Sequence, residues 1–441
     1  MAPRRFDSLP DLDTGDGRAP TLASWPREDL IRRTRLALSI ATRAIGVLGR
    51  GGYRDEQAPQ DSFGPDKPLA ETAMLLYVVA AVAGQIGEEP RVNEVAALMA
   101  PHARSRRTAW AVALHPTICW QLAMPHILLR QLGLVDPGFD RLVALSAGSL
   151  ARRGREVVPH RVLEVMWLEA LWSGAPPGAE FDAAAANSVM NHPLDLLWGN
   201  REDAYARTHT FMYFTDFGYA PRPLPRPRSE ILEESTALLA RSLLLEDFDL
   251  AAEVLMSWPL TASPWPAAAT FGFRVLAELE DKVGFLPAGN GVPEKFDRLQ
   301  GSERTQYALA ASYHTAYVMG MLCSLSLRPG NAPPHDLGGP LAPVEVVGEL
   351  TSLMQPADTP WQHTFRGLQP VEQRALAPFL LDMALLSAVR KHDFAAAGNL
   401  LAMAARTGLA NSSLCAQTAQ LLQRLATCAE HATEAIAHHA Q

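Results

Sequence analysis

Residues 203–218 carry a histidine, a carboxylate and two phenols at helical spacing. The positions that stand out are Tyr205, His209, Met212, Tyr213 and Asp216. They follow one another at steps of four, three, one and three residues, which places their side chains on one stripe of an α-helix. Such a stripe is too polar for an ordinary core face and too aromatic for a solvated one.

The stripe has two interpretations. In the functional one, His209 acts as base or acid in a cavity, and Asp216 orients it or binds a polar ligand. In the structural one, the helix is buried and its polar groups cap neighbouring helices. Both stay open at this point.

A second histidine stands in a similar context, in residues 306–321. Each histidine precedes a threonine, and a tyrosine follows within three residues of that threonine: Tyr213 after His209, and Tyr317 after His314. If the two helices face a common centre, the two imidazoles meet there. The alternative is that His314 is a hydrogen-bonded residue of the core.

Three further residues are candidates for a cavity wall. Arg161 and Glu164 are three apart, so a simple ion pair within one helix explains them equally well. Their apolar neighbours suggest partial burial, and buried charges need partners. His126 follows Pro125, where a helix kink or end can expose it. With Tyr317, these residues form our candidate substrate-binding set: Arg161, Glu164, His126 and Tyr317.

The sequence offers little support for a metal or a cofactor. His209, His314 and Asp216 form a two-histidine, one-carboxylate set suited to iron, but such sites are usually built on strands. The four cysteines lie far apart, without the paired spacing of a zinc site. No glycine-rich phosphate loop or dinucleotide motif is present. We therefore expect neither metal nor cofactor.

The elements that must position these residues are helices. Apolar residues recur at three- and four-residue steps, and strand signals are nearly absent. Two helix pairs are predicted around tight breaks, at 229–244 with 248–256 and at 370–390 with 394–405. Similar Asp-x-x-Phe or Asp-Phe breaks begin at Asp136, Asp247 and Asp393, where the aspartate is expected to cap the incoming helix and the phenylalanine to pack beneath it.

The predicted fold is all-α, made of antiparallel helix pairs in a curved or closed α/α array. A toroid fits the irregular period better than an open solenoid or an irregular bundle, which remain alternatives. We expect a disordered tail over 1–24, an N-terminal helical half over 25–219, a proline-rich connection over 220–228 and a C-terminal helical half over 229–441. The two halves are expected to form one continuous domain.

Net charge and hydropathy limit the classes of partner that we expect for this chain. The 441 residues carry a formal net charge of −8, which argues against nucleic-acid binding because phosphate neutralisation needs excess lysine and arginine. The longest apolar stretch, 72–84, is shorter than the roughly 20 residues that span a bilayer, so it indicates a buried helix and no membrane association. No apolar signal core opens the chain, and a cytoplasmic location is expected.

Four segments together resemble an actinobacterial family of all-helical proteins. They are PHRVLEVMWLEAL, YARTHTFMYFTDFG, DFDLAAEVL and SYHTAYVMGML, and the specific motif among them is T-H-T-x-x-Y-x-T-D-F-G at residues 208–218. The family is associated with clusters that make ribosomally synthesised, modified peptides. The chain resembles the separate cyclase of class V lanthipeptide synthesis, which acts beside a kinase and a lyase.

The resemblance implies a reaction and roles. A peptide cysteine thiol would add to a dehydroamino acid, which needs a base to form thiolate and an acid to protonate the enolate. His209 would be the base, oriented by Asp216, and Tyr213 or His314 the acid. Arg161 and Glu164 would shape the cavity. Better-known lanthionine cyclases resemble zinc-bearing toroids, but their Cys-His-Gly-type ligand motif is missing here, so a zinc-independent cyclase is implied.

Two other classes of function stay open. One is a non-catalytic helical-repeat protein that binds a leader peptide or partner enzymes. The other is an enzyme that acts on a small apolar metabolite.

Overall fold

The computed structural model describes residues 23–48, 66–149, 156–220, 222–288, 298–353 and 358–439. Within these ranges the chain is all-α: there is no strand, and the only β pairing is an isolated bridge between Ser24 and Pro334. Two short 3-10 helices span Pro116–Ile118 and Val189–Asn191. The α-helices are α1 (Arg27–Gly46), α2 (Asp66–Ile86), α3 (Glu89–Ala103), α4 (Arg106–Leu114), α5 (Cys119–Gln131), α6 (Pro137–Gly148), α7 (Pro159–Ser173), α8 (Ala179–Ala186), α9 (Arg201–Phe214), α10 (Arg228–Leu244), α11 (Phe248–Leu255), α12 (Ser257–Leu260), α13 (Ala267–Val283), α14 (Gly301–Ser326), α15 (Val344–Leu353), α16 (Pro360–Gly367), α17 (Pro370–Ala375), α18 (Ala377–Arg390), α19 (Phe394–Thr407) and α20 (Ser413–His439).

The predicted aspartate caps are confirmed. Asp136 accepts hydrogen bonds from the first backbone N–H groups of α6. Asp247 accepts from the Leu250 N–H in α11, at 3.3 Å, and Asp393 accepts from the Ala396 N–H in α19, at 3.0 Å. Each bond satisfies a donor that has no partner within its own helix.

The predicted helix over 370–390 is wrong in one respect, because it is two helices that meet at Leu376. Pro378 stands in the first turn of the second helix. Proline has no N–H to donate to the preceding turn and its ring crowds that turn, so α17 ends and α18 begins there.

The helices that bear the candidate residues contact one another in a cycle. α2 packs on α5, α5 on α7, α7 on α9, α9 on α11, α11 on α14, and α14 on α2. Helices from both sides of the proline-rich connection therefore pack directly together. A closed α/α array would produce such a cycle, and the toroid itself stays a prediction.

The predicted tail over 1–24 falls mostly on residues 1–22, which lie outside the described residues. Its last two residues are ordered against a later segment: the Ala23 carbonyl accepts a hydrogen bond from the His335 N–H at 2.6 Å. Next to it, the Trp25 N–H donates to the Pro333 carbonyl at 2.8 Å. Residues 23–25 are thus paired with residues 333–335.

One described helix, Asp66–Ile86, is long and apolar enough to cross a membrane. A bent pair, Arg106–Leu114 with Pro116–Gln131, meets the same criteria only when counted as one span. In the first helix 67% of the most apolar window is buried inside the fold. Core helices of water-soluble proteins meet these criteria too, so the cytoplasmic location stays a prediction.

α1 and α14 cross at very short range. A Cβ built on Gly320 of α14 would lie 2.3 Å from the Cβ of Ala37 in α1. Near this crossing Thr34 and Ser324 place their hydroxyl oxygens 3.5 Å apart, both buried. Glycine at 320 is therefore required by the approach of two backbones.

We expect Gly320→Ala to lower the free energy of unfolding by about 1–3 kcal/mol, because the added methyl group must push α1 and α14 apart. Gly348→Ala is the matched control: a Cβ there meets nothing within 4 Å, and alanine should raise stability by up to about 1 kcal/mol. Urea unfolding followed by circular dichroism measures both. A neutral Gly320→Ala would show that the crossing is looser than described.

Candidate active site

His314 lies between two carboxylates from different helices. Its Nδ1 is 2.9 Å from Oε2 of Glu71 in α2, and its Nε2 is 3.1 Å from Oδ1 of Asp249 in α11. Burial disfavours the charged imidazole, but the two carboxylates outweigh it and raise the pKa of His314 well above its ordinary value. His314 is therefore an imidazolium at neutral pH. About a quarter of its side chain, 26%, is accessible, whereas its Nδ1 atom is buried.

Glu253 lies between the two histidines that the sequence singled out. It follows Asp249 by one helical turn, and its side chain is only 2% exposed. One oxygen is 3.8 Å from Nδ1 of His209, and the other is 3.9 Å from Nε2 of His314. The Thr208 hydroxyl donates to Glu253 at 2.5 Å. The two imidazoles, 105 positions apart in the chain, thus share one carboxylate.

The buried carboxylates differ in their affinity for protons. Burial raises the pKa of Asp249, but the charge of His314 and the hydrogen bond from Tyr205 prevail and lower it to about 2. The pKa of Glu71 is lowered in the same way, burial being outweighed by His314. For Glu253, burial and the nearby charge of Asp249 outweigh His209, so its pKa is raised. Such a difference between neighbouring acids separates a fixed charge from a proton carrier.

His209 is oriented by its own helix. Its Nδ1 is 2.8 Å from the backbone carbonyl of Tyr205, which assigns the Nδ1–H tautomer and leaves Nε2 as the proton acceptor. The Tyr205 hydroxyl donates a short hydrogen bond to Asp249, so the same turn of α9 is attached to α11. A quarter of the His209 side chain is accessible.

His160, which the sequence reading overlooked, stands beside His209. The two ring centres are 6.2 Å apart. Burial, followed by the proximity of His209 and Arg161, lowers the pKa of His160 to about 4. His160 is therefore neutral where His314 is charged. The sequence feature that could have identified His160 is its position in the first turn of α7, directly before Arg161.

A second polar cluster beside these histidines consists of Arg161, Glu164 and Tyr213. Arg161 Nη1 lies 2.8 Å from Oε1 of Glu164, and the Tyr213 hydroxyl donates to that same oxygen at 2.8 Å. Burial and the Glu164 charge raise the pKa of Tyr213 well above its ordinary value. Glu164 is buried, whereas about half of the Arg161 side chain is exposed. The predicted ion pair within α7 and the predicted burial of Glu164 are both present.

Asp216 does not orient His209 as the sequence suggested. Its Oδ1 accepts hydrogen bonds from the Tyr77 hydroxyl, at 2.8 Å, and from Trp167 Nε1, at 2.7 Å. Asp216 and Phe217 both have φ of 50°, and Gly218 has φ of 78°, so the motif ends in a left-handed turn after α9. Glu253 is the carboxylate next to His209. The correction has a simple cause: Asp216 lies beyond the last residue of α9, where the helical stripe no longer applies.

The last two candidates lie deeper. His126 belongs to a different network, in which its Nε2 is 2.8 Å from Asp140 and its Nδ1 accepts from Arg104 at 3.0 Å. It is fully buried, so the expected exposure after Pro125 is wrong. The Tyr317 hydroxyl accepts a hydrogen bond from Thr72, the residue after Glu71, at 3.1 Å. Tyr317 is also fully buried, so it can support the site without facing a substrate.

In a comparison with known protein families, residues 36–324 match a family model. The match covers well over half of the chain. The chain belongs to the DUF6895 family. That family is described as a domain of unknown function, and neither the curated proteins nor the solved structures compared with the chain gave a match.

The DUF6895 region contains the whole network described above. Its members from Glu71 to His314 fall within residues 36–324, whereas α15 to α20 follow the matched region. Glu71, Asp249 and Glu253 were missed by the sequence reading. The sequence feature that could have identified two of them is the pair of acids one turn apart in α11, Asp249 and Glu253. All other residues of α11 are apolar.

Three residues of this DUF6895 network also meet the spacing of a metal site. Asp249, Glu253 and His314 each offer a ligand atom within 4.8 Å of the others. A divalent cation would then take the place of the His314 proton. The expectation that the chain binds no metal stays a prediction.

We predict that the pKa of His314 lies well above the ordinary value of about 6.5 and that Asp249→Asn returns it toward that value. Histidine-labelled NMR titration, assigned with His314→Gln, measures this. The stabilisation that comes from the raised pKa of His314 is complete below about pH 6.5 and disappears as the pH rises through the raised value. The stabilisation that comes from the lowered pKa of Asp249 is complete above about pH 4 and disappears as the pH falls toward about 2. Glu202→Gln, at an exposed carboxylate of α9, is the control. An unchanged titration in Asp249→Asn would contradict the pairing.

Asp216 should act as a hydrogen-bond acceptor. Asp216→Ala leaves the Tyr77 and Trp167 donors buried without this acceptor and should lower the free energy of unfolding by about 2–4 kcal/mol. Asp216→Asn retains an oxygen at the same place and should cost about half as much or less. Urea unfolding of the two variants distinguishes them. Equal losses would mean that the negative charge carries the contribution.

Proposed function

We propose that this DUF6895 chain is an acid–base enzyme whose reacting centre consists of His209, Glu253 and His314. One observation carries the proposal: two histidines from α9 and α14, each a quarter exposed, lie within 3.8 and 3.9 Å of one buried carboxylate. Structural histidines are usually satisfied separately, as His126 is by Asp140 and Arg104. A shared carboxylate instead couples two imidazoles on different helices.

The protonation states give each histidine a role. His209 has Nε2 as its accepting nitrogen, so it can take a proton from a substrate. His314 carries a proton at neutral pH and can donate one. Tyr213 was the other candidate acid, but its hydroxyl already donates to Glu164. We therefore assign Tyr213 a positioning role, with Arg161 and Glu164 forming the wall beside His209.

The reaction that this centre suits is addition of a peptide cysteine thiol to a dehydroamino acid. His209 takes the S–H proton, the thiolate sulfur bonds to Cβ, and the electron pair of the C=C bond moves to the adjacent carbonyl as an enolate. His314 then protonates Cα, and its positive charge stabilises the enolate before transfer. Atoms and electrons balance without an oxidant or reductant. The product is a thioether-bridged, lanthipeptide-type ring.

The proposal extends to the surroundings of the reaction. The dehydroamino acid would be made from serine or threonine by phosphorylation and elimination, which is work for a kinase and a lyase acting before this chain in a cytoplasmic pathway of ribosomal-peptide biosynthesis. The cycle of contacts from α2 through α14 supports a closed α/α toroid. Five of its six helices supply the network: Glu71 from α2, Glu164 from α7, His209 from α9, Glu253 from α11 and His314 from α14.

The test uses a synthetic peptide that holds one dehydroalanine and one cysteine. Ring closure does not change mass, so it is followed by loss of thiol labelling with iodoacetamide in mass spectrometry. We expect His209→Ala and Glu253→Gln to lower the rate by about 10²–10⁴-fold, as for loss of a general acid or base. His192→Ala, at an exposed histidine outside the network, should react like the parent, and a chelator should leave the parent rate unchanged.

Two outcomes would sink this proposal. If His209→Ala and Glu253→Gln are folded and close the ring at the parent rate, the chain is not this enzyme, and a protein that binds peptides or partner enzymes is the better description. If the chelator abolishes the parent activity and added Zn²⁺ or Mn²⁺ restores it, the acid–base assignment of His314 fails in favour of a metal site.

A further inference from the structure

An open groove lies between α15, α16 and α17, in the part of the chain that follows the family match. It encloses about 450 Å³. One wall is a stripe of α15 at helical spacing, formed by Val344, Val347, Gly348 and Thr351. Trp361 and Phe365 of α16 face that stripe from the other side, among other residues.

Apolar surface continues beyond the cavity. Val344 is 63% exposed, and Leu341, Leu353 and Val371, which flank the lining residues in the chain, are 47–53% exposed. A small molecule within the cavity would leave Leu341, Leu353 and Val371 in water. An extended ligand can cover them, so a peptide segment fits the surface better.

The charged residues that line the groove are positive, whereas the whole chain has a net negative charge. Arg366 and Arg374 line it, and none of the described residues that line it is acidic, although the whole chain has a formal charge of −8. The Arg374 guanidinium is fixed by its Nε, which donates to the Ala342 carbonyl at 2.7 Å. Its position is therefore set before a ligand arrives. Carboxylates on a ligand would meet two guanidinium groups at the edge of an apolar surface.

We propose that this groove binds an amphipathic peptide segment that carries carboxylates beside its apolar side chains. The site is separate from the acid–base residues, and its function is recognition. It gives the chain a means to hold a peptide by one segment while another segment is elsewhere on the protein. A tethered segment raises the effective concentration of the rest of the peptide.

Gly348 offers a way to close the groove without disturbing the fold. It lies on the α15 stripe, and a Cβ built there meets nothing within 4 Å. Leucine at this position should fill the space that a ligand side chain would enter. Alanine adds only a methyl group and serves as the matched control.

The experiment selects binders from a displayed library of random peptides about twelve residues long, using the full chain as bait. Enriched sequences are synthesised with a fluorophore, and their affinity is measured by anisotropy. We expect apolar residues at three- and four-residue spacing accompanied by Asp or Glu. Gly348→Leu and Arg366→Glu should each weaken binding by at least about tenfold, whereas Gly348→Ala should bind like the parent.

The proposal is overturned if no peptide is enriched, if the enriched peptides lack acidic residues, or if they bind Gly348→Leu as well as the parent. Circular dichroism of each variant shows whether it is folded. Binding to His209→Ala should be unchanged, so failure of the groove and failure of the acid–base centre are read separately.

Discussion

The positive charge of His314 is what allows Glu71, Asp249 and Glu253 to lie together in the interior of this helical protein. Burial of an unpaired carboxylate is strongly unfavourable, and Glu71, Asp249 and Glu253 are all less than 10% exposed. The imidazolium compensates them while touching α2 and α11 from α14. These contacts also fix three helices relative to one another. The chemistry of the centre and the packing around it thus depend on the same charge.

The motif in residues 208–218 supports this centre from one side. Its first half supplies Thr208 and His209, which face Glu253. Its last half, the left-handed turn at Asp216–Gly218, ties the end of α9 to Tyr77 of α2 and Trp167 of α7. The Phe217 carbonyl also accepts a hydrogen bond from Arg328 at 2.7 Å. Because hydrogen bonds fix both ends of the motif, the position of His209 relative to Glu253 is also fixed.

Local sequence patterns predicted many of the helices and caps of this structure. The features that these patterns missed depend on contacts between residues far apart in the chain. The helix start at Pro370 and the aspartate caps follow from short-range chemistry, so the sequence was sufficient for them. One of the two interpretations of His314 placed it near His209 at a common centre, and both imidazoles do approach Glu253. Glu253 was not anticipated, because its significance comes from two histidines on other helices. Asp216 was misassigned since a helical stripe was extended past the end of α9.

The position of Glu253 has a consequence for the proposed reaction cycle. After one addition, His209 has gained a proton and His314 has lost one. Glu253 contacts both rings and holds protons more readily than its neighbours, so it can carry the surplus from one imidazole to the other. Because Glu253 lies beside Nδ1 of His209, the hydrogen it passes on is the one from Nδ1, while the hydrogen taken from sulfur stays on Nε2. The centre then returns to its starting state only when His209 recovers the Nδ1–H tautomer, for which proton exchange with water at Nε2 is required.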